Sequence, residues 1–400
     1  MYDTIREKAQ SARDDVVRFL RDIVAIPSTS TNEKAVVERI ALEMERAGLA
    51  DVHFDPIGNV LGRVGHGPIT ILYDSHIDTV GVGDPAAWDC DPFKGKVSDG
   101  IIYGRGASDN KQAIATMVHA ARILRELNLE DTFTLWVMGV VEEESCDGWA
   151  VGQAIRSGYV KPDYVVIGEA TNLDVYRGHR GRCEIKVTTK GVACHASAPD
   201  RGVNALYRMQ PILAGIEQLN TRLKDDPFLG RGTVAATYME VKTGSYNVVP
   251  DECALYLDRR MTVGETAESS MAEIRSLPGA VDAKIELLRY SDPSWTGYKK
   301  DVPKDYPTWV LPEEHPLVQS GVEAATGILG HRPGISRWVF STDGVATMGQ
   351  LGIPTIGFGP GEERWAHTVK DQISIEQLVA ATAFYAALPP ILAQKVGGTR

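Results

Sequence analysis

Residues 132–145, TFTLWVMGVVEEES, place an apolar run directly before three consecutive carboxylates. A continuous apolar run of this length reads as a buried strand, here Thr132 to Val141. Three adjacent anions at the mouth of such a strand repel each other unless a cation or a proton compensates them. Glu142, Glu143 and Glu144 therefore favour a metal site, although a charge run is more often a solvated face. Adjacent side chains diverge, so one glutamate can bind a metal while its neighbour handles a proton.

The same junction of strand and polar residues recurs on either side. An earlier strand, Ile69 to Asp74, runs into YDSHIDTV, where His76 and Asp78 point the same way because strand side chains alternate. Asp78 can then fix the tautomer of His76, though HxD alone also fits a plain turn. YGRGASDNKQ sets Asp109 just before a helix expected over Lys111 to Leu127. That aspartate reads as an N-cap, or as a carboxylate bridging two cations. Strand Tyr164 to Ile167 is followed by Glu169. Near the C-terminus, GIPTIGFGPGEERWAHTVKD places His367 in a Gly-rich loop after another apolar strand. Open α/β sheets bind ligands at such strand ends.

Alternating strands and helices in the first half predict a layered α/β sheet. A helix is expected over Tyr2 to Ala25. Ser30 and Glu33 have capping-box spacing for a second helix ending near Gly48. Further strands are expected at Val52 to Phe54 and Asn59 to Val64, and a helix at Trp149 to Ser157. From about Arg180 the pattern changes to α+β: strand CEIKVTTKG, helix Asn204 to Leu223, strands Gly232 to Lys242 and Glu252 to Arg260, helix Ala267 to Arg275, and strand Ala283 to Arg289. Ser291 to Leu311 reads as a return linker, after which the first pattern resumes with Gly352 to Phe358. Ser374 and Gln377 offer a capping box for the last helix. A chain of 400 residues is expected to form two domains. Their bounds are 1–179 with 292–400, and an inserted 180–291.

A net charge of −11 argues against nucleic-acid or membrane-surface partners, which require a basic face. The charged N-terminus lacks the apolar centre of a secretion signal, so a cytoplasmic location is expected. Leu378 to Ala393 is too short to span a bilayer and is interrupted by Pro389 and Pro390, so it reads as a core helix. Five scattered cysteines without a CxxC pair fit a reducing compartment and exclude a thiolate zinc knuckle. Any metal ligands must then be His, Asp and Glu. His76, Asp109, Glu144, Glu169 and His367 suffice for two divalent ions about 3.5–4 Å apart. Imidazole with oxygen ligands suits zinc, with cobalt or manganese as alternatives. Glu143 would take a proton from the attacking water and deliver it to the leaving nitrogen.

HIDTV, GRGASDNK, EEES, GEAT and AHT, in this order and spacing, make the chain resemble the M20 metallopeptidases and deacylases, over nearly its whole length. That group includes N-acetylornithine deacetylase, succinyl-diaminopimelate desuccinylase and glutamate carboxypeptidase. The texture is closest to the deacylase branch, which includes a selenium-metabolism-linked subgroup. The resemblance implies a discontinuous zinc-peptidase-like domain with a mixed sheet, and an inserted ferredoxin-like lid that mediates homodimerisation. It assigns His76, Asp109 and Glu169 to one metal, Glu144, Asp109 and His367 to the other, Glu143 as general base, and Asp78 as the residue orienting His76. Glu142 stands where the family often has Asp.

The resemblance also implies roles in the lid. His195, in GVACHASAPDRGVNA, would reach the partner subunit's site and polarise the scissile carbonyl, although a single histidine in a turn is more often structural. Asn247 and Arg260 match substrate-binding positions. Arg260 would anchor a carboxylate through its planar fork, with pairing to Asp258 as the competing reading. Gly359 in GFGPG would bring a backbone donor near that carboxylate, or simply make a tight turn. The basic cluster from Tyr176 to Arg182 would suit an anionic acyl group, or serve as a hinge. The expected substrate is an N-acyl amino acid or peptide-like amide with a free carboxylate. A dipeptidase or carboxypeptidase of the same family, a two-metal phosphoesterase and a non-enzymatic binding relative are the rival readings.

Overall fold

The computed structural model describes residues 1–397. Its larger sheet has nine strands in the order Ala50–Phe54, Val60–Gly65, Phe133–Val140, Ile69–His76, Tyr164–Ile167, Thr355–Gly357, Val175–His179 and Trp309–Val310, with Ile335–Trp338 also pairing Val175–His179. Four of these strands form its parallel centre. Ile69–His76 lies between Phe133–Val140 and Tyr164–Ile167, parallel to both, and Thr355–Gly357 continues parallel beyond. Their C-terminal ends therefore open on one edge, and the loops that follow carry His76, Glu143, Glu144, Glu169 and His367. Burial on both faces explains the continuous apolar runs of these strands. The sheet is mixed, because Val60–Gly65 pairs Phe133–Val140 antiparallel.

A second hydrophobic cluster, including Cys183, Ile185, Val187, Ile212, Leu255, Leu257 and Ile274, shares no residue with the first. It lies under an antiparallel sheet in the order Thr233–Lys242, Glu252–Met261, Gly181–Lys190 and Lys284–Leu287. Helices Ala205–Arg222 and Ala267–Arg275 complete a β-α-β-β-α-β unit. The return segment is more than a linker, since Asp305–Tyr306 pairs Gly181–Lys190 and Trp309–Val310 joins the large sheet.

Several local expectations require correction. The first helix is interrupted at Ala12, giving Tyr2–Ser11 and Arg13–Val24. Helix Lys34–Arg46 has no side-chain cap, because both members of the expected capping box are engaged elsewhere. Ser30 Oγ donates to Asp78 Oδ2 at 2.6 Å, and Glu33 Oε1 accepts the Glu142 N–H at 3.2 Å. Gln377 likewise bridges Gly361 N–H and Asn172 instead of capping its own helix. That last helix, Ile375–Gly397, runs through both prolines. Proline frees the carbonyl four residues earlier, and for Pro389 that carbonyl, Tyr385 O, accepts the Tyr73 hydroxyl at 2.6 Å. At 23 residues the helix is long and apolar enough to cross a membrane, but 72% of its most apolar window is buried inside the protein, as in a core helix.

Candidate metal centre

Asp109 lies between two imidazoles and turns a different oxygen to each. Its Oδ1 is 3.1 Å from His76 Nε2, and its Oδ2 is 3.2 Å from His367 Nε2. Glu169 Oε1 approaches His76 Nε2 at 3.0 Å, and Glu144 Oε2 approaches His367 Nε2 at 3.0 Å. Glu143 Oε2 stands slightly back, 3.9 Å from His76 Nε2. Donors 2.0–2.2 Å from one tetrahedral ion lie about 3.3–3.5 Å from each other. The observed spacing therefore fits divalent ions with only small adjustment. His76, Glu143 and Glu169 converge on one point, and His76, Asp109 and Glu144 on another, close enough to ligate an ion. Two nitrogen donors with carboxylate oxygens form a set suited to zinc and its neighbours.

Charge balance points the same way. Burial pushes the Glu143 carboxyl upward, raises Glu144 as well, and moves Glu169 up to about 7. Burial also opposes ionisation of Asp109, yet hydrogen bonds from His367 and His76 outweigh it and hold the group below its ordinary range. Hydrogen bonds to Asp109 and Glu144 raise His367 to about 10. For His76, burial opposes protonation, but Glu169 and Glu143 beside it shift the balance upward. An acidic cluster that holds protons this tightly is one in which a cation can replace them.

The supporting residues explain how the loops hold these positions. Asp78 is fully buried. Besides Ser30, it accepts Glu143 N–H on Oδ1 at 3.1 Å and Glu144 N–H on Oδ2 at 3.2 Å. Its backbone carbonyl is 3.0 Å from His76 Nδ1, whereas its carboxylate is 3.5 Å away, so the nearer partner of the imidazole is the carbonyl. Glu142 adopts a left-handed conformation with φ 64°. It is pinned by the Tyr290 hydroxyl and by Glu33. The GRGASD loop is tied to buried Asp371, which accepts from Gly106 N–H at 2.7 Å, Ser108 N–H at 2.8 Å and Arg105 at 3.1 Å.

A cavity of ≈550 Å³ opens over the centre, lined by the candidate ligands and by Asp147, Arg182, Arg260, Phe340, Ser341 and Glu363 among others. Arg260 lines it while forking onto Asp258 at 2.7 and 2.9 Å, so the competing pairing is present and the guanidinium still borders the cavity. Gly359 does not line the cavity. Its N–H is engaged by Thr171 Oγ1 at 3.0 Å, and a Cβ there would meet Glu169 O at 2.3 Å, so its smallness serves close packing. His195 and Asn247 also lie outside the cavity lining, next to each other on an exposed face: Ala196 N–H donates to Asn247 O at 2.8 Å, and His195 Nδ1 accepts from Ser197 N–H at 3.1 Å.

Sequence reasoning missed Asp147, Ser341, Glu363 and the supporting role of Asp371. Asp147 closely follows EEES, which was a usable signal. Its partners Arg182, at 2.6 Å, and Ser341 come from distant segments.

The fold and this centre define a metal-dependent amidohydrolase built on a mixed α/β sheet. The chain belongs to peptidase family M20/M25/M40, whose sequence pattern matches residues 72–389. It is 46% identical over 390 residues to the uncharacterised protein YgeY of Escherichia coli (strain K12), covering 97% of each chain. It is 27% identical to a succinyl-diaminopimelate desuccinylase of Magnetococcus marinus, covering 94% of this chain and 97% of that protein. Among solved structures, the YXEP protein of Bacillus subtilis, described as a dinuclear metal-binding M20 peptidase, matches with a TM-score of 0.71 at 16% identity. That match covers 96% of this chain and 99% of that one.

Proposed function

We propose that the protein is a two-metal hydrolase cleaving the amide bond of an N-acyl amino acid or small peptide-like substrate with a free carboxylate. His76, Asp109 and Glu169 would hold one ion, and Asp109, Glu144 and His367 the other, most simply zinc, with cobalt or manganese able to replace it. The observation that carries this reading is Asp109, whose two oxygens serve two different histidines. When bound, such ions polarise the substrate carbonyl and acidify a water.

The remaining work falls to the chain. Glu143 is buried beside the candidate ligands with its carboxyl pushed upward, which suits a base that accepts a proton from water and returns it to the leaving nitrogen. Asp78 fixes the backbone from which Glu143 and Glu144 project. Arg260 would hold the substrate carboxylate at the mouth of the cavity.

We assign residues 1–179 and 292–400 to the catalytic domain, and 180–291 to a lid that also forms a homodimer. The outer strand Thr233–Lys242, with exposed Tyr238 and nearby exposed Tyr246, supports that contact. His195 and Asn247 would then face the partner's cavity. Five free cysteines fit a cytoplasmic setting.

The test is Glu143→Ala. Metal content should stay near normal while turnover of N-acetyl, N-succinyl or dipeptide substrates falls by about 10²–10⁴-fold. Loss of both metals would reassign Glu143 as a ligand, and turnover of phosphate esters in place of amides would reject the amidase reading.

A further inference from the structure

The cavity over the centre is lined by three arginines and by one carboxylate, Glu363, that belongs to neither the candidate ligands nor an ion pair. Each arginine has an acid beside it: Arg182 reaches Asp147 at 2.6 Å, Arg260 reaches Asp258 at 2.7 Å, and Arg364 reaches Glu362 at 2.9 Å. Glu363 has no such partner among the described residues, and its buried Oε1 makes no hydrogen bond. Burial pushes its carboxyl up to about 7, against the smaller opposing effects of the Tyr176 hydroxyl and of Arg337, which lies beyond ion-pair distance.

A half-buried carboxylate without a cation in ion-pair contact gives up hydration, and the one neutral hydroxyl that reaches it, from Tyr176, returns only part of that. A ligand can supply what is missing: an ammonium brings a positive charge and three donors, and charge-assisted hydrogen bonds are the strong ones. Placement favours this. Glu363 lies on the loop that carries His367, so whatever it holds sits beside the reacting amide, and Val339 and Phe340 in the same wall can cover an aliphatic chain. With the three lining arginines paired, Glu363 is the lining charge outside the metal cluster that has no ion pair among the described residues.

We propose that Glu363 recognises a protonated amine of the substrate, so that the preferred amides carry an ammonium group as well as a carboxylate. This rests on the amidohydrolase reading above. Two chemistries supply the ammonium: a dipeptide carries it on the acyl side, and an N-acyl diamino acid carries it on the side of the leaving amine.

Isothermal titration on the zinc-loaded Glu143→Ala protein, which holds ligands without consuming them, separates these cases. Glycylglycine and N-acetylglycine differ by an ammonium on the acyl side; Nα-acetyl-lysine and Nα-acetyl-norleucine differ by one on the leaving side. The expected result is about tenfold tighter binding of the ammonium member in at least one pair, about 1.4 kcal/mol. That preference should vanish when Glu363→Gln is added, or Glu363→Ala should the amide disturb the fold. The pair that responds identifies the side. No preference in either pair, or one that survives removal of the carboxylate, overturns the inference. Comparison within pairs cancels any general loss of affinity. Failure of the unmutated enzyme to hydrolyse any N-acyl or dipeptide substrate would instead reject the parent reading.

Discussion

Asp78→Asn isolates what the buried carboxylate behind the centre does. Asp78 accepts three hydrogen bonds, with Glu143 N–H on Oδ1 and with Glu144 N–H and Ser30 Oγ on Oδ2. An amide replaces one oxygen by a donor. Whichever way it turns, that donor faces a backbone N–H, from Glu143 in one orientation and from Glu144 in the other. Ser30 can rotate its hydroxyl, but the peptide cannot. One buried N–H is therefore left unpaired, at a cost of about 1–3 kcal/mol, and Asp78→Ala should cost more because it removes all three acceptors. Since the stranded group belongs to the loop carrying the base, turnover should fall along with stability. Urea unfolding of the metal-loaded proteins and steady-state kinetics on an N-acetyl amino acid measure both. An Asn variant within about 0.5 kcal/mol of the parent, with undiminished kcat, would refute this account of Asp78.

Three other outcomes are expected. Glu33, pushed up to about 9 by burial and by nearby Asp78 and Glu142, holds its proton more tightly folded than unfolded. Its contribution to stability is therefore complete below the ordinary value of 4.5 and is lost as pH rises through about 9. Glu33→Gln keeps the acceptor for Glu142 N–H but cannot ionise, so its Tm should decline less over that range and exceed the parent's at the alkaline end; identical pH profiles in thermal melts would contradict this. His195→Ala should depress turnover with unchanged metal content, and mixed dimers with Glu143→Ala should regain part of the activity; no recovery would place its action within one chain. Chelation should abolish turnover and lower Tm, and zinc restored at 100-fold over its Kd should return about 2.7 kcal/mol of stability, read by calorimetry.

Much of this protein was legible in its sequence because the signals were local. Strand Tyr164–Ile167 and helix Ala267–Arg275 fall at the expected residues, since hydrophobic periodicity and burial act over short stretches. Four of the five candidate ligands could be named because each lies at or after the end of an apolar strand, and parallel strands leave their C-terminal ends on one edge; Asp109 instead stands before helix Lys111–Glu126. Local motifs failed where a side chain had two possible partners. Ser30 and Glu33 carry a capping-box pattern, yet they bind Asp78 and Glu142 N–H. Pro389 and Pro390 read as interruptions of a core helix, yet the helix runs on through them, and Tyr73, from a distant strand, satisfies the Tyr385 carbonyl that Pro389 frees.

Sequence alone thus determined most element types, the loops that carry the candidate ligands, and the family. Tertiary structure decided which oxygen of Asp109 meets which histidine, that Arg260 is shared with Asp258, that His195 and Asn247 lie outside their own chain's cavity lining, and that Glu363 has no ion pair among the described residues. The physical reason is reach. Secondary structure is set by neighbours a few residues away, whereas a hydrogen bond or an ion pair is settled by whichever partner folding brings within about 3 Å, however far along the chain it began.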